Sequence, residues 1–234
     1  MTDPRPRIAV VTFPGSNDDG DARLALDRLG AEAVATWHTA TELPAGIAGV
    51  VLPGGFSYGD YLRCGALARV APVMDAIRSF AADGGPVLGI CNGFQILCEA
   101  GLLPGVLRAN RQVEFVCADV EVTVESTATP FTRDCRPGET LVIPIKHGEG
   151  NWVADDVLFV DVVARGQVVL RYATDVNGSR DRVAGVASEG GNVLGLMPHP
   201  EHAVDPLLGS ADGGLLLAGL VDAAAAYRMA LVPA

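Results

Sequence analysis

The sequence is poor in the features that mark several classes of protein. Its 234 residues contain five cysteines, an odd number, and no Cys-x-x-Cys pair. Neither a disulfide framework nor a cysteine-based zinc site is indicated, so a reducing cytoplasm is the expected location. No stretch of about 18 apolar residues runs without polar interruption, and the N-terminal run IAVVTF is shorter than a signal-peptide core. We therefore expect neither secretion nor a membrane span.

Basic residues are also scarce. The chain has 17 Lys and Arg against 28 Asp and Glu, which gives a formal net charge of −11. Binding to nucleic acid relies on clustered Lys and Arg, so a nucleic-acid partner is not expected. The sequence has neither a Walker loop nor a Gly-x-Gly-x-x-Gly motif. We therefore expect no ATP site on this chain.

Short β-branched runs alternate along the chain with stretches of helical period. This alternation predicts an α/β fold in which a mixed, mostly parallel sheet carries helices on both faces. The predicted strands are 7–13, 49–53 and 86–90, the predicted helices are 21–30, 67–85 and 212–230, and the second half, including 157–173, is strand-rich. With 49% hydrophobic residues and no linker, one domain is expected over residues 1–234, with its core from about 7 to 230.

Three loops are expected to meet in one crevice, because ligand sites in such sheets form at the carboxyl ends of the strands. One is FPGSNDDGD after the first strand, another is PGGFSYGD after the strand at 49–53, and the third is the turn at Cys91. An active site is therefore expected at these loops.

Cys91 lies between two glycines in VLGICNGFQ, in the pattern Gly-x-Cys-x-Gly. A strand that turns abruptly into a helix needs small residues on both sides of the turn, and Gly89 and Gly93 meet this need as in a nucleophile elbow. Unpaired N–H groups at the start of the helix favour a thiolate. From this stretch alone, a catalytic cysteine and an ordinary buried cysteine are equally supported.

A cysteine nucleophile needs a base, and the most informative of the four histidines is His199 in LMPHPEH. Pro198 and Pro200 fix an extended path in which His199 and Glu201 share a side. Glu201 can then hold one imidazole nitrogen and leave the other for the cysteine. A surface turn is the alternative for this heptapeptide taken alone. His199 and His202 lack metal-ligand spacing, so no metal site is predicted.

The glycine pair in PGGF, residues 53–56, exposes backbone N–H groups directly after a strand. An oxyanion hole requires such donors, and the N–H groups of Gly55 and Asn92 are the candidates. A tight turn is the alternative interpretation. The convergence of an elbow, a base and a donor loop on one crevice favours catalysis.

The combination of Cys91 in GICNGFQ with His199 and Glu201 in PHPE resembles the class I, triad-type glutamine amidotransferases. The resemblance implies a flavodoxin-like fold and a catalytic triad of these three residues that hydrolyses glutamine to glutamate and ammonia. The long segment at 52–68 is similar to one branch of the family. That branch serves the synthase that converts formylglycinamide ribonucleotide to formylglycinamidine ribonucleotide in purine biosynthesis.

The resemblance also implies that Gln95, Gly148 and Glu149 bind glutamine, and that two protein partners exist. One is a large synthetase subunit, on which ATP and magnesium are expected, and the other is a small accessory subunit. No cofactor is expected on this chain. Three alternatives stay open: the glutaminase of another class I amidotransferase, a cysteine hydrolase or redox sensor on a similar fold, and a non-catalytic binding module.

Two features predict surfaces for these partners. The family usually has cysteine and arginine where this sequence has Asp18 and Gly20, and commonly arginine at His202, so contacts with partners are expected to differ there. The segment FSYGDYLRCG is unusually rich in tyrosine and arginine, which are favoured interface anchors. Tyr58 and Arg63 are therefore the residues expected to dock the synthetase.

Overall fold

The computed structural model describes residues 5–231. Its strands are β1 (Arg7–Thr12), β2 (Glu32–Trp37), β3 (Ile47–Leu52), β4 (Val87–Ile90), β5 (Val106–Arg108), β6 (Val116–Val124), β7 (Thr140–His147), β8 (Asn151–Val153), β9 (Val168–Tyr172), β10 (Val183–Ala187) and β11 (Val193–Leu196). Its α-helices are α1 (Asp19–Arg28), α2 (Val73–Ala82), α3 (Asn92–Glu99), α4 (Asp156–Ala164) and α5 (Gly213–Leu231). The ends of the predicted domain, residues 1–4 and 232–234, lie outside the described residues.

Nine of the strands form one sheet in the order β2-β1-β3-β4-β11-β10-β9-β6-β7. The first five strands in this order are parallel, and the remaining pairings are antiparallel. The order β2-β1-β3-β4 is that of flavodoxin-like folds. The predicted fold class, a mixed α/β sheet, is confirmed.

Helices cover both faces of this sheet, and β3 is therefore buried on both sides. A Cβ atom at Gly49 would lie 3.3 Å from Ala224 Cβ of α5, whereas Leu52 faces the α3 residue Gly93. Residues an odd number apart along a strand point to opposite faces. Helix α5 is long and apolar enough to cross a membrane, yet Leu220 and other residues of it are buried against the sheet.

The prediction of strands over 157–173 is wrong for its first part, which forms α4. The valine-rich run favours a strand by propensity, but the local cap decides otherwise. Asp155 caps this helix by accepting a hydrogen bond from the Leu158 N–H at 2.8 Å. Two of the valines, Val157 and Val160, point to solvent.

One predicted helix is shorter than expected, and an edge strand is present that was not expected. The helix predicted over 67–85 begins at Val73, because Pro72 occupies its N-cap and the chain before it forms only a short helical turn. Strand β2 was not predicted from the sequence. Among residues 5–231 it pairs with β1 alone, and because it is mostly half-exposed it does not need the continuous apolar run of the central strands.

Helix α3 approaches β3 so closely that Gly93 has no room for a side chain. A Cβ atom there would lie 1.9 Å from Leu52 O, a backbone atom that cannot move aside cheaply. Gly93→Ala should therefore lower the free energy of unfolding by about 1–3 kcal/mol or more. The control is Gly20→Ala in α1, where nothing lies within 4 Å and a helical alanine is neutral or stabilising. Equal urea midpoints for the two variants would contradict this packing argument.

Candidate active site

The carboxyl ends of β1, β3 and β4 border a cavity of about 280 Å³. The three loops considered above meet here, and the segment 147–150 after β7 closes the other side. The cavity is lined by Asn17, Asp18, Gly55, Phe56, Asp60, Cys64, Cys91, Gln95, Phe115, Lys146, His147, Gly148, Glu149 and His199.

Cys91 occupies the strained turn between β4 and α3. Its φ is 49° and its ψ is −103°, a conformation that non-glycine residues seldom adopt and that clusters at functional sites. Its N–H donates to Leu196 O at 2.8 Å, which ties the turn to β11. A Cβ atom at Gly89 would lie 2.7 Å from Gly93 O. Both flanking glycines are therefore required for the turn to exist.

His199 and Glu201 lie side by side beneath the cavity and are almost completely buried. The His199 Nδ1 is 2.7 Å from Glu201 Oε1, and its Nε2 has no hydrogen-bond partner among the described residues. Burial alone would lower the His199 pKa, but the charges of Glu201 and Cys91 raise it above its ordinary value. The imidazole is thus held in one orientation and stabilised in its protonated form.

The candidate oxyanion donors lie on two different elements. The N–H of Gly55 has no partner in the described part of the chain, and this residue lines the cavity. The next N–H, that of Phe56, donates to Gly15 O at 2.8 Å, so the first loop holds the donor loop in place. Asn92 begins α3, where an N–H group has no acceptor within the helix.

Gln95 connects the two sides of the cavity. Its Nε2 donates to Glu149 O at 2.6 Å, and its Oε1 accepts from Asn92 Nδ2 at 2.8 Å. Only one N–H of its amide therefore stays free for a ligand. Gly148 and Glu149 line the cavity as well, so the three predicted glutamine-binding residues lie together.

Asn110 is a supporting residue that the sequence analysis missed. Its Nδ2 donates to His147 O at 2.9 Å, its Oδ1 accepts from Gly150 N at 2.9 Å, and its own N–H donates to Gly148 O at 2.8 Å. Burial and the charge of His199 lower the pKa of His147 to about 4, so this histidine is neutral. No motif singles out a lone asparagine in RANRQ, and only the fold reveals its role.

Asp18 differs from the residue that is usual in the family, and we expected it to affect contacts with partners. Its side chain instead lies inside the candidate site. Its buried Oδ1 accepts a bond from Lys146 Nζ at 2.5 Å and lies 3.4 Å from His202 Nε2. Its Oδ2 is 3.7 Å from His199 Nδ1. Burial raises the Asp18 pKa, but these bonds and the His199 charge lower it well below its usual range. Gly20, by contrast, is exposed.

Four potential metal ligands gather here, since ligand atoms of Asp18, His199, Glu201 and His202 all lie within 4.8 Å of one another. The negative charge of Asp18 is already balanced by a cation of the protein itself, because Lys146 Nζ contacts it. His199 Nδ1 is also engaged with Glu201. We therefore interpret the cluster as an ion-pair network.

Comparison with known proteins defines the class of this fold and site. A family described as "CobB/CobQ-like glutamine amidotransferase domain" matches residues 5–212. That match includes every residue of the candidate triad and of the cavity. The chain therefore belongs to this glutamine amidotransferase family.

Individual relatives are more specific. Phosphoribosylformylglycinamidine synthase subunit PurQ of Rubrobacter xylanophilus is 56% identical over 218 residues, which covers 93% of this chain and 99% of the relative. Subunit PurQ of Mycobacterium bovis is 54% identical over 209 residues, 89% of this chain and 93% of the relative. A chain in the structure of PurLQS from Thermotoga maritima matches with a TM-score of 0.87 and 46% identity, over 93% of this chain and 98% of that one.

Asp18→Asn tests the ion-pair network. We expect the variant to lose about 1–3 kcal/mol of unfolding free energy at pH 7, because Lys146 loses a charged partner. The folded pKa of Asp18 lies below its unfolded value of about 3.9, so the stabilisation is present above that pH and is lost as pH falls further. The difference between wild type and variant in urea unfolding should therefore shrink towards about pH 3.

The matched control is Asp21→Asn, which removes the same charge from an exposed position. It should change stability little at either pH. If Asp18→Asn and Asp21→Asn unfold alike at pH 7, the network is not stabilising.

Proposed function

We propose that this chain is the glutaminase subunit of phosphoribosylformylglycinamidine synthase. It hydrolyses glutamine to glutamate and ammonia, and it delivers the ammonia to the ATP-dependent synthetase that converts formylglycinamide ribonucleotide to formylglycinamidine ribonucleotide in de novo purine biosynthesis. The observation that carries the proposal is the strained Cys91 turn beside a buried His199–Glu201 pair, in a chain whose relatives over nearly full length are PurQ subunits.

The reaction is a two-step acyl transfer. The Cys91 thiolate attacks the γ-carboxamide carbon, and the N–H groups of Gly55 and Asn92 donate to the oxyanion that forms. His199 gives its proton to the departing nitrogen, which leaves as ammonia, and a γ-glutamyl thioester remains on Cys91. Neutral His199 then takes a proton from water as the water attacks the thioester. Glutamate leaves, and the proton restores the initial state.

The proposal extends to the organisation of the complex. We propose one domain over the whole chain, because strands from both halves join one sheet. A large synthetase subunit would bind ATP and magnesium, and a small accessory subunit would complete the assembly in the cytoplasm. The neighbouring solved structure is named for three components, PurL, PurQ and PurS, which supports such an arrangement.

Replacing the triad tests the chemistry. Cys91→Ala and His199→Ala should each lower kcat for glutamine hydrolysis by about 1,000-fold or more, since nucleophile or base is lost. Glu201→Gln should be milder, because base and nucleophile remain. Cys117→Ala, at an exposed cysteine, is the control and should keep wild-type activity. Near wild-type glutaminase activity in Cys91→Ala would refute the assignment.

The segment FSYGDYLRCG, beside the mouth of the cavity, is the surface on which we expect the synthetase to dock. Tyr58 does not point outward as the docking prediction requires, because its hydroxyl lies 2.6 Å from His38 Nδ1. Arg63 makes a bidentate contact with Glu99 at 2.6 Å. The most exposed large apolar side chains in this segment are Tyr61, 74% exposed, and Leu62, 86% exposed, ahead of Phe56 at 46%. We therefore assign the docking role to these two residues.

Tyr61→Ala should weaken binding of the synthetase by about 10-fold or more, because exposed tyrosines are frequent interface hot spots. Calorimetric titration with the synthetase measures the effect. The control is Met229→Ala, which removes a comparably exposed apolar side chain near the C-terminal end of α5. Equal affinity of both variants for the synthetase would show that Tyr61 does not contribute to the interface.

A further inference from the structure

Asp18 joins parts of the candidate site that are far apart in the chain. Its backbone N–H donates to Gly54 O at 3.3 Å, which ties it to the loop that carries a proposed oxyanion donor. Its side chain contacts Lys146 Nζ, and the carbonyl of that same lysine accepts the Cys91 thiol at 3.8 Å. Its other carboxylate oxygen is 3.7 Å from His199 Nδ1. The proposed nucleophile, base and donor loop are therefore all connected through this one residue.

The carboxylate of Asp18 and the ring of His199 lie side by side against the backbone of Gly54. A Cβ atom at Gly54 would overlap Asp18 Oδ2 and would lie 2.7 Å from His199 Cε1. Both side chains are buried. Because a single methyl group would overfill this space, the imidazole cannot turn towards the loop after β1 without displacing Asp18.

Two carboxylates face the same nitrogen of His199. Glu201 Oε1, at 2.7 Å, is close enough for a hydrogen bond, whereas Asp18 Oδ2, at 3.7 Å, acts on the ring through its charge. Partners on its other oxygen keep Asp18 at this distance, because Lys146 Nζ contacts Oδ1 and His202 Nε2 lies 3.4 Å from it. A buried carboxylate without such partners would compete with Glu201 for the Nδ1 proton of His199.

The proposed reaction gives such a second carboxylate a use. His199 gives up a proton and takes one back, and its Nε2 has to face Cys91 in both states. We propose that Asp18 is a second positioning carboxylate, which Lys146 holds where it fixes the orientation of His199 without replacing Glu201. Asp18 stands where the family usually has cysteine, so the triad of the family does not include it. This inference rests on the proposed glutaminase function.

Asp18→Asn keeps the shape of the side chain and removes its charge. In the complete complex with the synthetase, the variant should lose about 10- to 100-fold in kcat for glutamine hydrolysis, because a small misplacement of the base is costly. KM should change by less than about twofold, since a residue that acts through His199 does not contact the substrate. The control is Val162→Ala, which weakens packing in α4 and should leave both constants unchanged. Each variant is assayed below the temperature at which its own unfolding begins.

Lys146 provides a second test with a different expected pattern. Lys146→Met leaves the Asp18 carboxylate without its cation beside His199, so kcat should fall further than in Asp18→Asn. Adding Asp18→Asn to Lys146→Met removes that carboxylate, and kcat should rise again to the level of the Asp18→Asn single variant.

Three results would overturn the inference and leave the glutaminase function intact. They are a wild-type kcat in Asp18→Asn, a loss that appears in KM instead of kcat, and losses of the two single variants that multiply in the double variant. A wild-type complex that releases no glutamate from glutamine would refute the proposed function, and the inference with it.

Discussion

The turn at Cys91 is the constraint on which the rest of the site depends. A positive φ at this cysteine is tolerated only because α3 packs directly on β3, and that packing in turn requires glycine on both sides of the turn. The same geometry starts α3 at Asn92, so the proposed nucleophile and one proposed oxyanion donor come from adjacent residues of the backbone. The loop after β1 then holds the loop that contains Gly55 in place, through the hydrogen bond from the Phe56 N–H to Gly15 O. Local backbone strain, supported by close packing, thus produces the geometry of the proposed active site.

Two ion pairs hold polar side chains of the candidate site in place. His199 lies against Glu201, and Lys146 lies against Asp18. A buried charge is costly unless it is paired, so removing one partner of either pair destabilises the group that remains. The orientation of the proposed base thus depends on the carboxylates around it.

The sequence predicts those parts of the molecule that are encoded locally. The elbow glycines, the His-Pro-Glu geometry and the buried central strands each follow from residues adjacent in sequence, and the structure brings the triad and oxyanion candidates together. The valine-rich α4 was misread because one capping aspartate outweighs strand propensity. Asp18 and Asn110 act through partners more than 30 residues away, and no local pattern reports such contacts. Only the fold shows that Asp18 approaches His199.

Trapping the acyl-enzyme tests the proposed mechanism most directly, because that mechanism forms a single covalent intermediate, on the Cys91 sulfur. The complex is mixed with glutamine, quenched in acid during turnover, digested and examined by mass spectrometry. We expect a γ-glutamyl group on the peptide that contains Cys91, with Cys64 and Cys98 unmodified. A γ-glutamyl group on another cysteine, or the release of glutamate without any acylated peptide, would contradict the account.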